Sequence, residues 1–316
     1  MKFLYWKRRN ETITSELKPF KSEMEFEHYI FDNQEILGDI SIIHRQIRTG
    51  SKQGIPDMIG IDQDSRICII EVKNVEANES ILPQALGYAV WAETNPDSLR
   101  AIWLESRSKQ ESHDDDWDNV DWDNLQIRVI LIAPSFKPNV LSMASKLGYP
   151  VDLVQVSRHS HEKEEFLIVE ALEKLPSSRS TTKVFEEWSW ESYEKEHGKE
   201  ATLQFGKMVG EIASFAKKHQ WNLPYNLNKY YTGFKLGNKV VFNVHWASTY
   251  NWDVKLKISE KVAKAFKGKN WEYHRYDNNF NDALFRLKNP QKPVVAELGT
   301  FLLQAYANVS GKRQTR

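Results

Sequence analysis

The segment GIPDMIGIDQDSRICIIEVKN, residues 54–74, carries charge at positions where a core strand would carry apolar side chains. Because side chains alternate between the two faces of a strand, Glu71 and Lys73 share one face of the second apolar run. The short polar turn at residues 62–65 predicts a hairpin, which would return Asp57 to the strand end where Glu71 lies. Two carboxylates and one ammonium group would then converge at one place.

This combination of groups suits a hard divalent cation. Mg²⁺, or Mn²⁺ in its place, takes oxygen ligands, usually one or two carboxylates, and keeps several waters. Asp57 and Glu71 would supply the carboxylates, and the backbone carbonyl of Val72 is a further candidate ligand. A bound cation lowers the pKa of its water and clamps a phosphoryl oxygen. Lys73 would orient or deprotonate the attacking water, or stabilise charge that develops on the phosphorus oxygens.

A Glu-x-Lys triplet alone is usually an exposed ion pair, so the neighbouring segments matter. Glu23 and Glu27 are four residues apart in a helix predicted over residues 22–37, and therefore lie on one helix face. One of them would reach the metal from beside the sheet, or both belong to a solvated acidic face. Both readings remain open at this point.

A second pair has the same spacing. Gln84 and Tyr88 lie four residues apart in a helix predicted over residues 79–94. They would contact a phosphate or a base near the site. The alternative is a helix surface, with Tyr88 packed against the sheet.

The remaining pattern of the first half predicts an α/β domain over residues 1–174. The helix over residues 22–37 begins with a capping-box pattern, Ser22 followed by Glu25, and ends at Gly38. The other predicted elements are strands at 40–48, 57–62, 66–73, 126–133, 151–157 and 165–171, helices at 79–94 and 137–147, and a short helix in PDSLRAIWLES. An acidic loop occupies residues 111–124, and LPSSRSTTK, residues 175–183, is the predicted linker.

Residues 184–316 predict a smaller α+β domain. Its predicted elements are a helical region at 186–219, strands at 230–236, 239–246 and 252–258, a basic helix, two further strand-like segments and a final helix at 293–308. Aromatic residues alternate with basic ones along it: Trp221, Tyr225, Tyr230, Tyr231, Trp246, Tyr250, Trp252, Trp271, Tyr273 and Tyr276, with Lys229, Lys235, Lys255, Lys257 and Arg275. These side chains would form a stacking platform for nucleic acid, or the aromatic ones form a core.

Charge is distributed unevenly along the 316 residues, although 43 basic and 43 acidic side chains cancel overall. Residues 1–180 hold 21 Lys and Arg against 30 Asp and Glu, which leaves 22 against 13 in residues 181–316. The balances of −9 and +9 indicate one acidic domain and one that faces a polyanion, or two ordinary domains that happen to differ.

Composition narrows the class of protein. A hydrophobic fraction of 41% and a charged fraction of 27% are typical of a globular chain. A single cysteine, Cys68, excludes an internal disulfide framework and a Cys-based zinc site. We expect a cytoplasmic protein without a membrane partner, because the sequence has no long apolar run and its first residues lack the apolar core of a signal peptide.

These motifs, in this order, resemble the PD-(D/E)xK nuclease superfamily, and within it the RecB-like and NucS-type branch. The likeness covers roughly residues 20–133 and rests on a helical Glu, G-x-x-D, E-x-K and Q-x-x-x-Y. Each motif alone is weak, whereas all four on the expected elements are fairly specific. The resemblance implies an α/β, restriction-endonuclease-like mixed sheet flanked by helices.

The resemblance also implies roles for individual residues. Glu27, Asp57 and Glu71 would form the metal site, and Lys73 would be the catalytic lysine. The accessory and substrate-binding candidates are Gln84, Tyr88, Arg45, Gln46 and Glu23. The acidic loop at residues 111–124 does not correspond to any part of the family pattern. The second domain has only a faint likeness to uncharacterised domains appended to such nucleases.

The sequence therefore predicts a Mg²⁺- or Mn²⁺-dependent nuclease that hydrolyses phosphodiester bonds. DNA is favoured over RNA as its partner, and a homodimer is one option for its assembly. The alternatives are a catalytically inactive nucleic-acid-binding protein on a nuclease scaffold, and a module whose acidic loop and basic half bind other proteins.

Overall fold

The computed structural model describes residues 3–8, 11–45, 56–108, 120–172, 188–237, 239–278, 280–288 and 294–311. The chain divides into two compact units, Met1–Val184 and Phe185–Arg316. The predicted linker and residues 111–119 of the predicted acidic loop lie outside the described residues. Within the described ranges, every helix is too short or too polar to cross a membrane.

The first unit is a mixed α/β structure. Its strands are β1 (Phe3–Arg8), β2 (Glu11–Leu17), β3 (Ile40–Arg45), β4 (Met58–Asp62), β5 (Ile67–Val72), β6 (Ile127–Ala133), β7 (Val151–His161) and β8 (Glu164–Leu172). Its helices are α1 (Glu23–Asp32), α2 (Ile81–Thr94), α3 (Pro96–Ser108) and α4 (Pro138–Ala144). A 3₁₀ turn, Gln34–Leu37, follows α1.

The eight strands form one sheet in the order β1-β2-β7-β6-β5-β4-β3, with β8 paired to β7. The three central strands β5, β6 and β7 are parallel, and the remaining pairings are antiparallel. On one face, Phe26 and Ile30 of α1 pack with Cys68, Ile70 and Val72 of β5. Helix α2 lies in the crossover between β5 and β6, so that helices flank the mixed sheet.

Strands β4 and β5 form the predicted antiparallel hairpin, with Met58 opposite Ile70. The carboxylate of Asp62 organises its turn, since Oδ1 accepts from the backbone N–H groups of Asp64 at 3.0 Å and Arg66 at 3.1 Å. Ser65 adopts φ 60°, a conformation that a tight turn requires. The turn fixes which residues of the two strands face each other.

Three features of the first unit differ from the sequence prediction. The hairpin of β1 and β2 was not predicted, and it extends the sheet by two strands. The predicted helix over residues 22–37 ends at Asp32 and continues as a 3₁₀ turn up to Gly38, which has φ 78°. The capping contact is also shifted: Ser22 Oγ accepts from Glu25 N, but Glu25 Oε2 accepts from the N–H of Lys21.

The second unit has a separate antiparallel sheet. Its strands, β9 (Tyr225–Leu227), β10 (Tyr231–Leu236), β11 (Lys239–Ser248), β12 (Asn251–Leu256), β13 (Trp271–Asp277) and β14 (Asp282–Leu287), are arranged in the order β13-β14-β12-β11-β10-β9. Its helices are α5 (Trp190–His197), α6 (Lys199–Lys218), α7 (Glu260–Lys264) and α8 (Gly299–Ser310), and a 3₁₀ turn, Val295–Leu298, precedes α8. Strand β9 was not predicted from the sequence.

Several aromatic residues proposed for a stacking platform lie instead in the interior of this unit. Tyr231, Trp252 and Trp271 are fully buried. Trp246 is stacked between His197 and Phe205, with ring centroids 3.9 Å and 4.2 Å away. These residues therefore form part of the hydrophobic core, which was the second of the two interpretations of the aromatic pattern. Aromatic side chains at strand spacing bury a large apolar area.

Two lysines of the proposed platform also form internal ion pairs. Lys255 Nζ lies 3.7 Å from Asp277 Oδ2, and Lys257 Nζ lies 3.2 Å from Asp282 Oδ1. Both aspartates are buried. These two cations compensate buried carboxylates, so a phosphate-tracking role for them is not supported.

The close approach of β3 and β4 at Gly60 provides a test of this architecture. A Cβ on Gly60 would lie 2.8 Å from Ile40 Cγ2 and 2.9 Å from the backbone oxygen of Ser41. We expect Gly60→Ala to lower the free energy of unfolding by about 1–3 kcal/mol, measured by urea titration. The control is Gly87→Ala in α2, where nothing lies within 4 Å; it should raise stability by up to about 1 kcal/mol. Equal stability of Gly60→Ala and the wild type would contradict the packing of β3 against β4.

Candidate active site

The site forms where the β4–β5 hairpin opens. Asp57 immediately precedes β4 and Glu71 lies one residue from the end of β5, so extending the register of Met58 and Ile70 by one residue places Asp57 opposite Glu71. Asp57 Oδ2 accepts from the backbone N–H of Val72 at 2.9 Å. The exposed fractions of Asp57 and Glu71 are 6% and 1%. The hairpin thus brings two buried carboxylates together, as the sequence pattern predicts.

The two oxygens of Glu71 have different surroundings. Oε1 accepts from Lys73 Nζ at 2.7 Å and from Gln84 Nε2 at 2.6 Å. Oε2 is buried and has no hydrogen-bond donor among the described residues. Burying an acceptor without a donor or a cation costs free energy, so this oxygen is a candidate ligand atom.

Burial and mutual repulsion alter the acidity of the pair. Burial raises the pKa of Glu71 to about 7, with a further contribution from the charge of Asp57 and opposition from Lys73. Burial also raises the pKa of Asp57, although the N–H of Val72 and the ammonium of Lys73 oppose it. For Lys73, the carboxylates of Glu71 and Glu23 outweigh burial and raise the pKa of the ammonium. The site therefore contains two carboxyl groups with raised pKa values beside a lysine whose pKa is raised as well, so that the lysine stays charged at neutral pH.

Helix α2 contributes the predicted Gln-x-x-x-Tyr pair. Besides its bond to Glu71, Gln84 Nε2 donates to the hydroxyl of Tyr88 at 3.0 Å. Tyr88 is 9% exposed, and burial raises the pKa of its hydroxyl. Gln84 therefore connects the helix to the carboxylate of Glu71, and the largely buried Tyr88 accepts a hydrogen bond from it.

The two glutamates of α1 are engaged by different cations. Glu23 Oε1 lies 3.5 Å from Lys73 Nζ. Glu27, which is 1% exposed, accepts at Oε1 from Arg45 Nε at 2.9 Å. The described residues, Glu27 included, contain no group of three or more His, Cys, Asp or Glu side chains that could hold a metal ion. Glu27 is thus bound to Arg45 and does not complete a three-carboxylate group with Asp57 and Glu71.

Sequence reasoning missed the Glu27–Arg45 contact and predicted Arg45 only as a weak substrate-binding candidate. The pair joins α1 to β3, and no periodicity within either segment specifies how they meet. His28, whose Nδ1 lies 2.6 Å from Arg45 Nη1, was not singled out either. Gln46, the other substrate-binding candidate of this segment, lies outside the described residues.

Several solved structures show partial similarity to this chain, among them three endonuclease structures. A repair endonuclease from Pyrococcus abyssi matches with 18% identity and a TM-score of 0.27, over 48% of this chain and 65% of that one. EndoMS in its apo form matches with 18% identity and a TM-score of 0.27, over 49% and 64% of the two chains. An EndoMS–dsDNA2 complex matches with 19% identity and a TM-score of 0.24, over the same shares.

The matched region thus spans less than two thirds of those endonuclease chains. A likeness at this level does not establish a shared activity. No protein-family model matches this chain. A search of curated proteins likewise finds no match.

The raised pKa of Glu71 predicts how the stability of the metal-free protein depends on pH. The pKa of Glu71 is about 7 in the folded state, against an ordinary value of 4.5 for an unfolded chain. Between pH 4.5 and pH 7 the folded state therefore binds more protons than the unfolded state. Stability should therefore fall as pH rises through this window, by about 1–3 kcal/mol in total. We expect urea unfolding in a chelator to show this loss between pH 5 and pH 8.

Glu71→Gln should remove most of this pH dependence, because the amide does not titrate in this range. The matched control is Glu76→Gln, which changes an exposed carboxylate five positions along the chain and should keep the wild-type slope. A Glu71→Gln slope equal to that of the wild type would show that Glu71 does not titrate as described.

Proposed function

We propose that this protein is a divalent-metal-dependent nuclease that hydrolyses phosphodiester bonds, with DNA favoured over RNA as substrate. The observation that carries the proposal is the buried pair Asp57 and Glu71, with Glu71 Oε2 lacking a donor among the described residues and Lys73 beside it. The order of the sequence motifs, which resembles that of PD-(D/E)xK nucleases, favours DNA.

The residues present fit a small divalent cation. Mg²⁺ binds through one or two carboxylates and retains waters, which matches the buried pair Asp57 and Glu71. Asp57 and Glu71 would hold the ion, and the backbone carbonyl of Val72 stays a candidate ligand. When bound, such an ion would polarise a phosphoryl oxygen and make an attacking water more acidic. Mn²⁺ has the same ligand preference and serves as a probe.

Lys73 acts as a cation in this proposal. The two glutamates that it contacts raise the pKa of its ammonium, so it carries a proton at neutral pH and is a poor base. Of the roles that the sequence left open, stabilisation of charge on the phosphorus oxygens therefore fits best, and deprotonation of the attacking water fits worst.

Gln84 positions the carboxylate of Glu71. Its amide donates to Oε1 at 2.6 Å, and Lys73 donates to the same oxygen at 2.7 Å. With Oε1 occupied twice, Oε2 is the oxygen that remains for an ion. Because a ligating carboxylate must be ionised, loading at Glu71 should release a proton, so metal affinity should rise with pH through about 7.

A cleavage assay tests this function. Purified protein with Mg²⁺ or Mn²⁺ should cut at least one of single-stranded, duplex or branched DNA, with RNA run in parallel. Asp57→Asn, Glu71→Gln and Lys73→Met should each lower the cleavage rate by about a hundredfold or more, since each removes a charge aimed at the reacting phosphate or its ion. Glu76→Gln should cut like the wild type. Retained cutting in all three variants would refute the site.

A further inference from the structure

Glu27 and Arg45 form an ion pair beside the proposed metal site. The side chain of Glu27 is 2% exposed and that of Arg45 is 22% exposed. Arg45 Nε donates to Glu27 Oε1 at 2.9 Å, and its Nη1 lies 2.6 Å from His28 Nδ1. The buried end of the pair is an acid, and its outer end is a cation that reaches solvent.

Glu27 also interacts electrostatically with Asp57, one of the two proposed metal ligands. After the larger effect of burial, the charge of Glu27 contributes to the raised pKa of Asp57. A buried carboxylate needs a cation or several donors nearby, and Arg45 is a cation that serves Glu27 in this structure. An ion held by Asp57 and Glu71 would bring a second positive charge close to Glu27. The ion and Arg45 would then compete for one carboxylate.

The backbone of Arg45 runs beside the start of β4, one residue from Asp57. It is in β3, at the edge of the sheet, and pairs with Met58, the neighbour of Asp57 along the chain. A guanidinium group presents N–H donors in a planar fork that matches two phosphate oxygens. Arg45 therefore combines a backbone position next to the start of β4, partial exposure and a donor group that fits phosphate.

We propose that Arg45 is a phosphate-binding residue which Glu27 holds until the divalent ion arrives. This inference rests on the nuclease function proposed above. With an ion held by Asp57 and Glu71, the Glu27 carboxylate would turn from Arg45 towards that charge, and the guanidinium of Arg45 would become available to bind a phosphate of the nucleic acid. Metal binding and nucleic-acid binding then strengthen each other by the same factor, as thermodynamic linkage requires.

The test measures this coupling directly. Mn²⁺ affinity is determined by calorimetry, and the affinity for a cleavage-resistant phosphorothioate DNA is determined with and without Mn²⁺. In the wild type, Mn²⁺ should raise the DNA affinity about tenfold. Arg45→Gln should bind Mn²⁺ alone about threefold to tenfold more tightly, because a competing cation is gone, and should lose most of the coupling.

The opposite change gives an independent signature. Glu27→Gln frees Arg45 in the absence of metal, so it should raise the metal-free DNA affinity about threefold or more. A purely structural role for the pair would not produce this gain. Arg45→Lys keeps the positive charge but lacks the planar guanidinium group. It should therefore bind Mn²⁺ like the wild type and show weaker coupling between Mn²⁺ and DNA binding. If Arg45→Gln fails to fold, Arg45→Lys provides the test in its place.

Arg100→Gln, an exposed change in α3, should alter neither affinity and is the control. Unchanged or weaker Mn²⁺ binding by Arg45→Gln, or unchanged metal-free DNA binding by Glu27→Gln, would overturn the inference. If the variants give these contrary results while the wild type binds Mn²⁺ and cuts DNA, only the inference about Arg45 fails and the proposed nuclease function is retained. A wild type that neither binds Mn²⁺ nor cuts nucleic acid would overturn both proposals.

Discussion

The arrangement of the first unit depends on the burial of two carboxylates, Asp57 and Glu71, at the open end of one hairpin. Removing an ionised carboxylate from water costs several kcal/mol unless donors or cations offset it. The N–H of Val72, the ammonium of Lys73 and the amide of Gln84 supply part of this offset. The compensation is incomplete among the described residues, since Oε2 of Glu71 has no donor and burial raises the pKa of Glu71 to about 7. We infer that a divalent cation completes it.

The far end of the same hairpin fixes the register on which this geometry depends. A slip of one residue would turn Glu71 to the opposite face of the sheet and separate it from Gln84. Asp62 opposes such a slip, because its carboxylate binds the turn and lies 2.7 Å from Arg66 Nη2 and 3.1 Å from Arg128 Nη1. Arg128 belongs to the neighbouring parallel strand and also pairs with Asp152, at 2.6 Å. The buried ion pairs of Asp62 at the turn end of the hairpin thus fix the strand register, and the buried carboxylates Asp57 and Glu71 at its open end form the site.

The sequence predicts the parts of the site that follow from local periodicity. Strand alternation places Glu71 and Lys73 together, and helix periodicity aligns Gln84 with Tyr88. It does not predict how Glu27 meets Arg45, since this contact depends on packing between elements and on an irregular register in β3 between Ile42 and His44. In the second unit, alternating aromatic and basic residues fit a core and a binding surface equally well. The structure places Trp252 and Trp271 in the core, and the ion pairs of two lysines could not be read from their spacing.

The central claim is that Asp57 and Glu71 hold a divalent cation, and the most direct measurement is an anomalous diffraction map of crystals soaked in Mn²⁺. The account predicts a strong peak about 2.1 Å from Oε2 of Glu71 and within ligand distance of Asp57. It also predicts that crystals of Glu71→Gln lack this peak under the same conditions. Wild-type crystals without density between these carboxylates, or with Mn²⁺ bound only at other residues, would contradict the claim.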